Sequence, residues 1–152
     1  MTQVQHQLEK VTILFAGDSG DGIQLTGTQF TTNTALFGND LSTFPDFPAE
    51  IRAPLGTVAG VSGFQINFGA VDVYTPGDLC DVLVVMNVAA LKKNLTRLKE
   101  RGTIIVNTAG FDKRNLRLAG VEEGQNPLLN NSLEGYKVHE FDITKLTRES
   151  LK

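Results

Sequence analysis

The chain has 152 residues, of which 41% are hydrophobic and 20% are charged, and its formal net charge is −3. This length suits one domain with its own core, because domains cluster near about 100–150 residues. A mildly acidic chain lacks the basic footprint that phosphate backbones require, which argues against nucleic acid as the main partner.

The single cysteine, Cys80, excludes an internal disulfide framework and a cysteine-ligated iron–sulfur cluster within the chain. A reducing cytoplasm is therefore the simplest compartment. No apolar run approaches the ~18–20 residues that span a bilayer. Residues 1–10 are polar and are typical of a flexible lead-in rather than of a secretory signal.

The most informative stretch is VTILFAGDSGDGIQLTG, residues 11–27. Its near-continuous apolar start, residues 11–16, predicts a central strand that is buried on both faces of a parallel sheet. A glycine-rich turn follows, and then a predicted helix from Gly22 to Phe37. The face predicted to pack on the sheet contains Ile23, Gly27, Phe30, Thr34 and Phe37.

A glycine-rich turn between a strand and a helix N-terminus favours an anion, usually a phosphate, because free backbone N–H groups and the helix dipole point at it. The spacing here is G-x-x-G-x-G, which is neither the dinucleotide fingerprint nor the triphosphate loop. The alternative is an ordinary tight turn that needs glycine for a positive φ. The candidate cofactor-binding residues are Gly17, Asp18, Ser19, Gly20, Asp21 and Gly22.

The triplet Gly20-Asp21-Gly22 invites comparison with thiamine diphosphate sites, in which a later asparagine pair helps to hold Mg²⁺ on the diphosphate. The corresponding window, Phe47–Arg52, contains no asparagine, so a thiamine site in this chain is excluded. The turn also lacks the lysine that a triphosphate loop requires.

The middle of the chain is rich in proline and glycine. We predict a short strand at residues 41–44 and an alternating strand at Ser62–Phe68, with an irregular passage between them. Glu50 and Arg52 lie in that passage. They form either a salt-bridged loop or a contact with a ligand or a partner subunit.

The second half of the chain is more regular and completes an α/β pattern. We predict a three-layer, Rossmann-like α/β domain with a mainly parallel sheet over residues 11–152. The final helix has no C-terminal signal, which indicates a domain truncated at its C-terminus. The predicted elements are strands at 81–87, 103–107 and 136–142, helices at 88–100 and 143–152, and a loop at 112–133.

No residue pattern predicts a catalytic group or a metal site. His6 and His139 stand apart from other ligands and are expected to be structural or solvated. Cys80 precedes a buried strand and is expected to be an inert apolar residue. Ser19 is in the wrong frame for a nucleophile elbow and has no obvious base.

Taken together, these segments resemble the gamma domain of the 2-oxoacid:ferredoxin oxidoreductases. The resemblance is carried by AGDSGDGIQLTGTQF (16–30), FPDFPAEIRAPLGTVAGVSGFQINFG (44–69), DVLVVMN (81–87) and GTIIVN (102–107). The sequence of these segments is most similar to the N-terminal part of 2-oxoglutarate oxidoreductase alpha subunits, in which the gamma domain precedes a thiamine-binding domain.

The chain departs from that family pattern at two places. Asp21 replaces the residue that usually precedes the last glycine of the turn. Ala53 and Pro54 stand where glycines are common, in the passage that contains Pro48 and Arg52.

The resemblance implies an enzyme that decarboxylates a 2-oxoacid on thiamine diphosphate, passes electrons through iron–sulfur clusters to ferredoxin and releases an acyl-CoA. Thiamine diphosphate, Mg²⁺ and the clusters would belong to partner domains, namely a thiamine-binding alpha domain and a beta subunit. The gamma domain would assist assembly and position coenzyme A, whose diphosphate would lie at residues 17–22. By itself the domain would be inactive.

Two other hypotheses stay open at this point. The chain could be a purely structural domain whose proline-rich passage docks a partner subunit. A stand-alone dinucleotide-binding oxidoreductase is disfavoured, because neither Asp40 nor Asp46 ends a clear second strand at the position where the ribose-binding acid belongs.

Overall fold

The computed structural model of the protein describes residues 8–47, 60–122 and 124–151. In this part of the chain, no helix is long and apolar enough to cross a lipid bilayer. Short 3₁₀ turns lie at Leu95–Arg97 and Thr108–Phe111. The strands and helices, in chain order, are β1 (Lys10–Asp18), α1 (Ile23–Leu36), β2 (Asp40–Asp46), β3 (Val61–Gly69), β4 (Cys80–Val85), α2 (Val88–Asn94), β5 (Leu98–Asn107), α3 (Lys113–Leu118), β6 (Lys137–Phe141) and α4 (Ile143–Ser150).

The six strands form one sheet in the order β2-β3-β1-β4-β5-β6. The pairs β1–β4, β4–β5 and β5–β6 are parallel, whereas β3 is antiparallel to both β1 and β2. Five strands therefore point the same way and β3 alone is reversed. The predicted α/β class with a mainly parallel sheet is confirmed.

The core is divided by the sheet into two layers of side chains, because successive residues of a strand point to opposite faces. Leu14 and Ala16 of β1 pack with Val88 of α2 on one face. Phe15 of β1 packs with Ile23 of α1 on the other face. Helices thus cover both faces, which gives the three layers.

The predicted helix at residues 88–100 is wrong in its second half. Helix α2 ends at Asn94, and β5 begins at Leu98 rather than at Thr103. The leucine spacing is compatible with a helix, but Leu98 pairs with Cys80 at an irregularity of the β4–β5 ladder. Tertiary strand pairing therefore overrides the local helical pattern.

Two further predictions differ from the structure. The sequence predicts Phe37 on the packed face of α1, yet it is 87% exposed because the helix ends at Leu36. The predicted loop at 112–133 contains α3, whose first turn is capped by the Asp112 carboxylate accepting the Asn115 N–H at 2.8 Å. Short capped helices of this kind carry too little periodicity to be predicted from pattern.

Gly27 allows α1 to lie close to the sheet, as its place on the predicted packed face suggests. A Cβ atom there would overlap the ring of Phe64, a buried residue of β3.

We predict that Gly27→Ala lowers the free energy of unfolding by about 1–3 kcal/mol through overpacking, measured by urea denaturation. Thr28→Ala, on the exposed side of α1, is the matched control. Adding Phe64→Leu should recover part of the loss; equal stability of Gly27→Ala and wild type would contradict the close packing.

Candidate functional site

A crevice opens at the carboxyl edge of the sheet, between β1 and β4. These strands are parallel neighbours, but the helices that follow them, α1 and α2, pack on opposite faces. The chain therefore leaves the two strands in opposite directions. In open α/β sheets this topological switch point is where ligands bind.

The glycine turn forms one wall of this crevice and connects β1 to α1. Gly22 is the N-cap of α1, with φ +70°, and no side chain caps the helix. Gly17 is buried at the end of β1, where a Cβ would lie 2.7 Å from Asp21 Oδ2. In contrast, a Cβ at Gly20 or Gly22 would meet nothing within 4 Å. The turn thus faces open space at its second and third glycines only.

The two carboxylates of the turn are held by hydrogen bonds within the protein. The Asp18 N–H donates to Asp21 Oδ2 at 2.8 Å, and Asn87 Nδ2 donates to Asp18 Oδ1 at 2.9 Å. Partial burial raises the pKa of Asp21, the hydrogen bond from the Asp18 N–H opposes this rise, and the charge of Asp18 adds to it. The turn is therefore acidic, and negative charge on Asp21 is disfavoured.

Two buried asparagines complete the crevice, and neither was predicted. Asn87 follows β4 and caps α2, since its Oδ1 accepts the Ala90 N–H at 2.8 Å. Asn107 ends β5; its Nδ2 donates to Thr144 Oγ1 at 3.2 Å and its Oδ1 accepts the Ile143 N–H at 3.0 Å. The available signal was that each asparagine lies at or just after the end of a buried strand, at the edge where parallel strands gather functional groups.

The crevice has a volume of about 180 Å³. Its polar lining comes from two carboxylates, three amides and one hydroxyl, so it offers hydrogen bonds of both kinds. No lysine, arginine, histidine or cysteine lines it among the described residues. In the same part of the chain, no group of three or more histidine, cysteine, aspartate or glutamate side chains could hold a metal ion. The polar lining residues are Asp18, Asp21, Asn87, Asn107, Asn115 and Thr144.

The remaining candidates from the sequence lie apart from the crevice lining. Ser19 is exposed in the turn, and His139 is exposed on β6. Cys80 is fully buried, and burial raises the pKa of its thiol to about 11, which keeps it protonated at neutral pH. His6 lies outside the described residues.

Glu50 and Arg52 also lie outside the described residues, but the strands on either side of their segment are placed. Val61, at the start of β3, pairs with Asp18 of the turn. Gln24 in the first turn of α1 donates from Nε2 to Ser62 Oγ at 2.9 Å. The described residues that follow this segment therefore lie beside the glycine turn.

The raised pKa of Asp21 makes the stability of the turn depend on pH. The folded-state pKa of Asp21 lies above the unfolded value of 3.8. As the pH rises through the range between these two pKa values, ionisation of Asp21 lowers the free energy of unfolding, and this lower stability persists at neutral pH. Asp21→Asn keeps an oxygen acceptor for the Asp18 N–H without the charge. We expect its Tm at pH 7 to exceed that of the wild type by about 1–3 °C, a modest effect for a partly exposed group.

Calorimetric melts between pH 3 and pH 7 measure this difference, with Asp78→Asn, an exposed carboxylate away from the turn, as the control for losing one charge. The Asp21→Asn advantage should shrink toward pH 3. An advantage that grew on acidification would show that the charged form of Asp21 is the favoured one.

The family model described as pyruvate ferredoxin/flavodoxin oxidoreductase matches residues 12–152. The chain is 54% identical over 143 residues to 2-oxoglutarate oxidoreductase subunit KorA of Mycobacterium tuberculosis (strain ATCC 25618 / H37Rv), which covers 94% of this chain and 22% of that protein. It is 29% identical over 157 residues to ketoisovalerate oxidoreductase subunit VorA of Methanothermobacter marburgensis, covering 96% of this chain and 31% of that protein. The chain thus spans less than a third of the length of these curated relatives.

Solved structures share the fold. One is 2-oxoglutarate:ferredoxin oxidoreductase from Magnetococcus marinus with 2-oxoglutarate, coenzyme A and succinyl-CoA bound, with a TM-score of 0.70, 23% identity, and coverage of 96% of this chain and 22% of that chain. Another is the gamma subunit of a keto/oxoacid ferredoxin oxidoreductase from Geobacter sulfurreducens PCA, with a TM-score of 0.58, 20% identity, and coverage of 93% and 66%. The resemblance inferred from the sequence is confirmed: the chain belongs to the pyruvate ferredoxin/flavodoxin oxidoreductase family.

Proposed function

We propose that this chain is the gamma domain of a 2-oxoglutarate:ferredoxin oxidoreductase that works in the reducing cytoplasm. The observation that carries this proposal is the 54% identity to KorA over 94% of the chain. The complete enzyme would convert 2-oxoglutarate and coenzyme A into succinyl-CoA and carbon dioxide, and would pass two electrons to ferredoxin. Thiamine diphosphate, Mg²⁺ and iron–sulfur clusters would be held by a thiamine-binding alpha domain and a beta subunit.

Within that enzyme, the domain would position coenzyme A and assist subunit assembly, with no catalytic residue of its own. The proposed contact for the coenzyme A diphosphate is the backbone of residues 18–22, with buried Gly17 supporting the turn from behind. Three features support this contact: the helix N-terminus lacks a side-chain cap and a first-turn acid, Gly20 and Gly22 face open space, and the turn borders the switch-point crevice. The Magnetococcus marinus enzyme, which has the same fold in this region, binds coenzyme A.

The acidic lining limits where the diphosphate would lie. Asp18 and Asp21 line the crevice itself, and their charges would repel a phosphate there. Gly20 and Gly22 are absent from that lining, so the diphosphate would sit against their side of the turn. Glu50 and Arg52 are proposed to contact the ligand or a partner subunit, because Val61, which follows their segment, pairs with Asp18 of the turn.

A second candidate is a purely structural domain that binds partner subunits and no ligand. The observation that favours it is the same pair of carboxylates, because both accept hydrogen bonds within the protein. In that case the glycines would serve the geometry of the turn alone.

Titration calorimetry with coenzyme A distinguishes these two candidates. We expect micromolar binding to the chain, weakened at least about tenfold by Gly20→Val, since the added side chain would fill the space proposed for phosphate. Gly20 has no positive φ, so the substitution should leave the fold intact. Thr32→Val, on the exposed side of α1, is the control. Absence of binding heat with an intact fold would contradict the coenzyme A contact and leave the structural role.

The assignment of the chemistry to partner domains gives a separate test. We expect the chain alone to show no 2-oxoglutarate-dependent reduction of methyl viologen with coenzyme A present, because no nucleophile–base pair lines its crevice. A complete 2-oxoacid:ferredoxin oxidoreductase in the same assay is the positive control. Turnover by the chain alone, scaling with its concentration through purification, would overturn this division of roles.

A further inference from the structure

A second, larger cavity lies beside α3 and shares no lining residue with the crevice. Its volume is about 610 Å³, within the range of about 300–1,000 Å³ that small-molecule sites occupy. Helix α3 separates the two, since Asn115 lines the crevice and Leu116 lines the cavity. The cavity therefore needs an explanation of its own.

The inner wall of the cavity is apolar. Phe111 is 5% exposed and belongs to the core cluster that contains α2, and Leu116 and Val121 pack against the same cluster. Leu129 lines the cavity from the opposite segment and is 80% exposed. An occupant with an apolar body would remove this surface from water, which is favourable in proportion to the area covered.

The rim of the cavity carries two cations that have no ion-pair partner among the described residues. Lys113 and Arg117 are separated by four positions on α3, so they are neighbours on one face of the helix. Neither forms a salt bridge with any described residue. Among the described residues two acids also line the cavity: Asp112 accepts the Asn115 N–H as the helix cap, and Glu122 forms no salt bridge with either cation.

We propose that this cavity binds a small amphipathic organic anion. Its apolar body would lie against Phe111, Leu116 and Val121, and its carboxylate, sulfonate or phosphate would be held by Lys113 and Arg117. The guanidinium suits this role because its planar donors match a carboxylate or phosphate in pairs. The site is independent of the proposed coenzyme A contact at the glycine turn.

Two matched probes test the proposal: 8-anilinonaphthalene-1-sulfonate, which is anionic, and N-phenyl-1-naphthylamine, which has the same aromatic body without charge. Both fluoresce on entering an apolar site. We expect saturable, one-to-one binding of the sulfonate to the chain. Lys113→Gln combined with Arg117→Gln should weaken that binding at least about tenfold and leave the neutral probe unchanged, because only the charged hydrogen bonds are lost.

Two further variants locate the site. Leu129→Ser, at an exposed position where folding does not depend on the side chain, should weaken both probes. Lys145→Gln combined with Arg148→Gln removes two cations from α4 and should weaken neither. Non-saturable binding, equal loss of both probes in the Lys113/Arg117 variant, or the same loss in the α4 variant would overturn the proposal. A variant is compared with the wild type only if its Tm is unchanged, because a loosened core would itself bind these dyes.

Discussion

The backbone pairing of β1 with both of its neighbours is the constraint on which the rest of the structure depends. β1 is antiparallel to β3 along its whole length and parallel to β4 over Ile13–Ala16. Because it is central, its side chains supply both cores, and its carboxyl end must emerge in the middle of the sheet edge. The glycine turn is therefore carried to the switch point by strand pairing rather than by any contact of its own.

The reversed strand β3 carries buried amides whose partners come mostly from the surrounding loops, while Asn67 Oδ1 has none among the described residues. It is buried almost throughout, yet it carries Gln65 and Asn67 inside the protein. Gln65 Nε2 donates to the Pro76 carbonyl at 2.8 Å and Arg97 donates to its Oε1 at 2.8 Å. Buried amides require such partners, so the loop between β3 and β4 and the turn after α2 are tied to the sheet.

The side chains that line the two cavities give them different chemical properties. The crevice is lined by Asp18 and Asp21 and by amides, whereas the α3 cavity has an apolar wall and a rim with Lys113 and Arg117. The proposed coenzyme A contact uses the uncapped helix N-terminus beside the acidic crevice, and its diphosphate avoids the two carboxylates. The occupant proposed for the α3 cavity is a smaller and simpler anion.

The sequence by itself determined the strand–turn–helix of β1 and α1, the buried strands that lead to Asn87 and Asn107, and the family, because these rest on local apolar runs, glycine spacing and continuous motifs. Only the tertiary structure decided that β3 lies reversed between β2 and β1, that residues 98–102 join β5, and that the two asparagines converge on the turn. Strand order, and the pairing that converts a helical pattern into a strand, arise from contacts between distant segments. A local pattern records which face of a segment is apolar, but not which segment will cover it.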